Sequence, residues 1–210
     1  MLIGFVGFIG SGKGTVGDIL VQKGFKKDSF AKPLKDAAAN IFGWDRKLLE
    51  GDTVRSREWR EQPDEYWSQA FNYEFTPRLA LQLLGTEGCR NTINKDIWVY
   101  SLLKRASTTN TIVTDVRFKN EIETIHNHGG KIVRIKRGPE PEWFEDAVTF
   151  NQGSKRNIGW AMAKFKLQES KIHSSEIDWI GCKIDYTIEN NGTIKELGKD
   201  VNDMLQFFKL

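Results

Sequence analysis

The sequence predicts an α/β fold of three layers, a mostly parallel five-stranded sheet flanked by helices. Three observations predict it. A continuous apolar run from Leu2 to Val6 stops at Gly7, as a buried strand does. Directly after it, Val16, Ile19 and Leu20 recur at helical spacing. Further along, "NTIVTDV", "KIVRIKR" and "DYTIEN" read as short strands separated by helical patterns, which is the rhythm of strand–helix–strand units.

The elements follow in order. After the first strand, a helix runs from Lys13 to Lys23 and Gly24 supplies its stop. "FKKDSFA" is a candidate strand, and Pro33 suits the first turn of a helix from about Leu34 to Phe42. The tryptophan-rich stretch from Asp45 to Tyr73, with Arg55, Arg57 and Arg60, has no regular period and reads as short helices and loops. Pro77 opens the helix "PRLALQLLGTEGCR" with Leu79, Leu83 and Leu84 as its apolar stripe, and "KDIWVYSLLKRAS" continues as a helix. "NTIVTDV" is a buried strand ending at Asp115. A helix from Asn120 to His128 is closed by Gly129 and Gly130, and "KIVRIKR" alternates as a strand. An uneven segment from Gly138 to Ile180 precedes the last strand and an amphipathic helix from Ile194 to Phe208.

The expected organisation is one domain over residues 1–210, with a core of 1–44, 77–137 and 181–210. Residues 45–76 and 138–180 are insertions at the carboxyl ends of the strands, where open α/β sheets bind ligands.

Composition narrows the function classes. Lys and Arg number 31 against 28 Asp and Glu, a net charge of +3, which suits a handler of phosphates and falls short of a nucleic-acid coat. Cys89 and Cys182 have no metal-like spacing, which argues against a disulfide framework or a zinc site and for a reducing compartment. The opening "MLIGFVGFIG" lacks a basic leader region, and no apolar run approaches the length of a membrane span. A cytoplasmic protein without membrane contact is expected, and a stable nucleic-acid complex is not.

Gly7, Gly12 and Lys13 fit G-x-x-x-x-G-K between a strand and a helix, the setting that the phosphate-binding motif requires. Backbone amides of Gly10, Ser11, Gly12, Gly14 and Thr15 can turn toward phosphates there, the helix start adds partial positive charge, and Lys13 reaches the β- and γ-phosphates. The rival reading is a glycine-rich turn that binds nothing. Gly14 follows the lysine and the hydroxyl comes one place later, at Thr15. This "GSGKGT" form is similar to adenylate kinase and its relatives among the nucleoside monophosphate kinases.

Phosphoryl transfer also needs cations and an acid near the strand ends. "IVTDVR" offers Asp115 and Arg117. Asp115 suits an acid that organises Mg2+ or orients an acceptor, and it equally suits a helix cap.

"SFAKPLKDA", "TPRLALQLLGTEGCR", "TDVRFKNEIETIHNHGGKIVRIKR", "HSSE" and "DYTIENNGTIKEL", in this order, resemble the deoxynucleoside monophosphate kinases of tailed bacteriophages. The resemblance implies a P-loop kinase fold, with a monophosphate-binding lobe at 45–76 and a lid at 138–180. It implies transfer of the γ-phosphate of ATP, with Mg2+, to a deoxynucleoside monophosphate. It places Lys35, Arg57, Arg78, Gln82, Gly85, Trp98, Asp115, Arg117 and Glu121 at the acceptor. Lys13, Arg78, Asp115 and Arg117 are the implied catalytic set, and Thr15 and Asp115 the metal ligands, directly or through water. The loop of Asn190, Asn191 and Gly192 matches one that holds adenine. Each has a plainer reading: Lys35 and Arg57 as solvated helix residues, Arg78 and Gln82 as a surface pair, Trp98 as core, and the Asn-Gly turn as only a turn.

The segment 138–180 carries Lys155, Arg156, Lys164, Lys166 and Lys171 among aromatics. With Arg137 and His173, Lys155 and Arg156 are candidates for lid cations, though a solvated basic face gives the same pattern. His173 also suits a hydrogen-bond anchor. Dephospho-coenzyme A kinase, another kinase of the same fold, and a regulatory nucleotide-binding module remain the alternatives, and a homodimer is compatible with all three.

Overall fold

The computed structural model describes residues 1–106, 109–170 and 172–210. Ser107, assigned above to a helix, and Lys171, assigned to the lid, lie outside the described residues.

The elements run β1 (Leu2–Val6), α1 (Lys13–Gln22), β2 (Lys26–Asp28), α2 (Lys32–Phe42), α3 (Val54–Glu61), α4 (Glu65–Phe71) and α5 (Pro77–Gln82). They continue with α6 (Ile97–Ala106), β3 (Thr111–Val113), α7 (Lys119–Asn127), β4 (Lys131–Lys136), α8 (Phe144–Gln152), α9 (Ile158–Glu169), α10 (Ser174–Ile177), β5 (Tyr186–Glu189) and α11 (Ile194–Phe207). The strands form one sheet in the order β2-β3-β1-β4-β5, and every neighbouring pair is parallel. The expected α/β class with a five-stranded sheet is therefore the observed one.

The described chain divides into two compact units, Met1–Ser29 with Ala106–Leu210, and Phe30–Arg105. In the first, alternation along β1 decides which face each residue covers. Ile3 and Phe5 pack with Val16 and Leu20 of α1 and with Leu197, Val201 and Met204 of α11 in one fully apolar layer. Gly4 points the other way, where a side chain would press on Ile125 of α7 and on Ile132 and Val116. Burying one such Leu or Ile side chain stabilises the fold by ~2 kcal/mol. At the start of β4, Asp185 accepts from His126 Nε2 and from the Ile132 N–H, both at 2.8 Å. Burial disfavours the Asp185 carboxylate, but these two bonds prevail and hold its pKa below the ordinary value.

The second unit has its own core of Ala38, Trp44, Leu49, Phe75 and Ala80. Trp44 donates to Asp64 at 2.7 Å and Trp67 to the Phe42 carbonyl at 3.0 Å, so each indole buries its ring while its N–H keeps a partner. Thr53, Asp64 and Thr76 each accept a backbone N–H at the start of α3, α4 and α5, and Pro33 and Pro77 stand in first turns. The irregular stretch 45–73 thus contributes Leu49 to this core and packs Trp59 and Trp67 against it.

Two elements differ from expectation. The strand β3 ends at Val113, so Asp115 lies in the following loop rather than at the strand's end. The helix opened by Pro77 changes after Gln82 into a π-helical stretch, Leu83–Arg90, whose wider turns a 3.6-residue reading does not separate from an α-helix. Among the described residues, no helix is long and apolar enough to cross a membrane.

Candidate active site

The loop between β1 and α1 takes its shape from contacts that exclude side chains. A Cβ at Gly7 would run into the Ile135 carbonyl, and one at Gly12 into the Asn190 amide. Both glycines have positive φ, 140° and 99°. Within the loop, Lys13 Nζ donates to the carbonyls of Gly7 at 2.6 Å and Phe8 at 2.8 Å. Ser11 Oγ is buried with no hydrogen-bond partner among the described residues, an orphan hydroxyl inside a cradle. Gly14 and Thr15 are exposed on the first turn of α1.

Gly7, Lys13, Asp115, Arg117, Glu176 and Trp179 line one cleft. Arg117 Nη1 donates to Ser175 Oγ at 3.3 Å and to Glu176 Oε1 at 3.4 Å. The Lys13 pKa is pulled down to about 8, first by burial, then by the charge of Arg117, with Glu176 opposing. His173 caps α10, its Nδ1 accepting from the Ser175 N–H at 3.2 Å, and so holds Ser175 and Glu176 on a helix only four residues long. The part His173 plays here is that of an anchor.

Glu121, which the resemblance places at the acceptor, uses its carboxylate to hold backbone in the structure. It is 3% exposed, and its Oε2 accepts from the backbone N–H groups of Arg117 at 2.9 Å and Phe118 at 3.1 Å. Those are donors that the start of α7 leaves open, so Glu121 fixes the loop that carries Asp115 and Arg117. Lys119 N–H donates to Asp178 at 2.8 Å, tying the same loop to the end of α10.

On the other side of the glycine loop, Asn190 Nδ2 donates to the Ser11 carbonyl at 2.8 Å. Asn191 accepts from the Gly138 N–H at 2.7 Å, and Gly192 sits against Glu196. Arg137, Lys155 and Arg156 are exposed, the last two between α8 and α9; on α9, Lys164 lies over the Trp160 ring and Lys166 pairs with Asp146 of α8.

The remaining candidates belong to the second unit. Lys35 is not a solvated helix residue: its side chain is 13% exposed and its ammonium pairs with Glu50 at 2.6 Å. Arg78 on α5 pairs with Glu61 on α3, and both are exposed. Arg57 and Gln82 are exposed as well. Gly85 is buried in the π-helical stretch, where its carbonyl accepts from the Trp98 indole at 3.0 Å and a side chain would strike Leu34. These two therefore brace each other.

A protein of Acanthamoeba polyphaga mimivirus named "Putative deoxynucleotide monophosphate kinase" is 31% identical over 153 residues, 65% of this chain and 74% of its own length. The chain belongs to the deoxynucleotide monophosphate kinase family. The kinase has a P-loop kinase fold, with five parallel strands and the glycine loop at the end of β1. Among solved structures it is similar to the shikimate kinase of Aquifex aeolicus, at a TM-score of 0.45 and 14% identity over 100% of this chain and 98% of that one. It is also similar to the dephospho-CoA kinase of Campylobacter jejuni, at 0.43 and 15% over 98% and 96%. Likeness at this level bears on neither substrate nor site residues. No protein-family model matches the chain.

The kinase offers oxygen donors for a hard cation, the Thr15 hydroxyl and the Asp115 carboxylate. Among the described residues no group of three or more His, Cys, Asp or Glu stands ready to hold a metal. Mg2+ carried by a nucleotide needs only one or two protein ligands, so the donor set fits it. Sequence reasoning passed over Arg60, whose guanidinium lies against Gly51. Nothing in the spacing of Arg55, Arg57 and Arg60 separates it from its neighbours.

Proposed function

We propose that this kinase transfers the γ-phosphate of ATP to a deoxynucleoside 5′-monophosphate, giving the diphosphate for DNA synthesis in the cytoplasm of the cell that contains it. The observation that carries the reading is the 31% identity to the mimivirus protein across 74% of that protein's length.

In this reading the glycine loop holds the donor. Amides of Gly10, Ser11, Gly12, Gly14 and Thr15 and the orphan Ser11 hydroxyl surround the phosphates. Lys13 leaves the carbonyls of Gly7 and Phe8 for the β- and γ-oxygens. Asn190 keeps the loop in register, and the Asn190 to Gly192 turn lies by the adenine. Mg2+, held by Thr15 and by Asp115 directly or through water, would neutralise charge on the β- and γ-phosphates. Arg117 turns from Glu176 to the moving phosphoryl group, an oxygen of the acceptor's 5′-phosphate attacks that group as ADP leaves, and Asp115 orients the acceptor. Lys35, Arg57, Arg78 and Gln82 face the deoxynucleotide, Gly85 and Trp98 shape its pocket, and Glu121 positions the loop that carries Arg117. Arg137, Lys155 and Arg156 add charge from the lid.

A coupled ADP-release assay across deoxynucleoside monophosphates, ribonucleoside monophosphates and dephospho-coenzyme A tests the reading. Turnover with at least one deoxynucleoside monophosphate is expected, and Lys13→Ala should abolish it. Turnover with dephospho-coenzyme A alone would refute the acceptor, and no ADP release with any of them would refute the transfer itself.

A further inference from the structure

The most unusual cation of the second unit is Arg60, on the last turn of α3. Its Nε is buried and has no hydrogen-bond partner among the described residues. Burial, Arg78 and Arg57 all work against its charge, and Glu61 and Glu50 only partly oppose them. Glu50 is already engaged with two other cations, one carboxylate oxygen taking Lys35 at 2.6 Å and the other Arg46 at 2.6 Å. A buried cationic donor left without an acceptor is costly, and natural folds keep such a group mainly where a ligand completes it.

The surroundings are built for that side chain. Gly51 has φ 69°, and a Cβ there would run into the guanidinium carbon and both terminal nitrogens of Arg60. The backbone thus makes a flat floor for the guanidinium. Arg57 lies one turn earlier on α3, and α3 packs on α5, which carries Arg78. Arg57 and Arg78 are near enough to act on the charge of Arg60, and three guanidinium groups together suit a compact dianion, since a planar fork matches two oxygens of a phosphate monoester.

We propose that Arg60 grips the 5′-phosphate of the acceptor, and that Glu61 occupies Arg78 until that phosphate displaces it. The proposal rests on the acceptor reading above. The Arg78–Glu61 pair is exposed on both sides, so it is weak enough to exchange. Glu61 then acts as an internal competitor for the phosphate.

The test is calorimetric titration of the full chain with a deoxynucleoside monophosphate and, separately, with inorganic phosphate. A saturating non-hydrolysable ATP analogue fills the glycine loop throughout. Arg60→Ala should weaken both ligands at least tenfold while leaving affinity for the analogue unchanged, and Arg60→Lys should fall between, since an ammonium lacks the fork. Gly51→Ala, which displaces the guanidinium without removing it, should mimic Arg60→Ala. Glu61→Gln, a surface change that leaves the core intact, should tighten both ligands two- to fivefold. Unchanged affinity in Arg60→Ala, or weaker binding in Glu61→Gln, overturns the proposal, as does an unaltered protein that binds neither ligand. Arg60-dependent binding of inorganic phosphate without binding of any deoxynucleoside monophosphate would support the anion site and refute the acceptor reading.

Discussion

Asn190 and Ser11, 179 positions apart, are joined by a hydrogen bond of 2.8 Å from the side-chain amide of one to the carbonyl of the other. The bond ties the loop after β5 to the glycine loop after β1, and the amide also fills the space that a side chain at Gly12 would need. Asn190→Ala should cost about 1–3 kcal/mol of stability, read as a shift of the urea midpoint, because a buried carbonyl loses its donor. Affinity for ATP should fall with it. Asn190→Asp should be worse, since a carboxylate then faces the Ser11 oxygen.

Gly7 and Gly10 both have positive φ, yet only Gly7 has a neighbour in the way, the Ile135 carbonyl, while a Cβ at Gly10 meets nothing within 4 Å. Gly10→Ala should therefore cost only backbone strain, about 1–2 kcal/mol. Gly7→Ala adds a clash with backbone that cannot rotate away and should cost about 3 kcal/mol or more in total. Equal urea midpoints for the two variants would refute this account of the loop.

Lys13 sets a pH limit on nucleotide binding. Its pKa in the free protein is about 8, so below that pH it meets ATP already charged, and above it binding must take up a proton. Affinity for ATP should be flat up to pH 8 and then fall, by up to about tenfold per pH unit, until the pKa of the bound lysine is reached. Calorimetry at pH 9 in buffers of different ionisation enthalpy should register the uptake, and Lys13→Met should abolish it. For stability the sign is reversed. The unfolded chain keeps this proton up to about pH 10.4 whereas the folded one releases it from about 8, so the Lys13 contribution improves as pH rises through that window.

The neighbours of Lys13 should move that limit in opposite directions. Arg117 lowers the lysine's pKa and Glu176 raises it. In Arg117→Ala the break in ATP affinity should shift to higher pH, and in Glu176→Gln to lower pH. Under the proposed role of Arg117, turnover in Arg117→Ala should also fall by about two orders of magnitude or more. Shifts of the same sign in both variants would contradict the electrostatics described here.

The glycine loop was legible because its spacing encodes its own chemistry: glycines where side chains clash, then a lysine, then a helix start. The strands β1 and β3 were legible as apolar runs, and α2 and α5 as prolines in first turns. The role of Glu121 was hidden because it lies in the local geometry of the loop before α7, where the N-cap is Phe118 rather than a serine or threonine. Lys35 could not be read as an ion-pair partner, since Glu50 is distant in sequence and reaches it only through tertiary packing. The importance of Arg60 depends on the shape of the backbone at Gly51, which no residue pattern expresses.

The Phe8 carbonyl accepts from Lys13, and the Phe8 ring stands edge-on to the indoles of Trp143 at 5.5 Å and Trp179 at 5.3 Å. Any shift of the loop that frees the lysine also moves a ring that touches two fluorophores. The chain thus contains an optical reporter of its own loop, and nucleotide binding to it can be followed by tryptophan emission without a label.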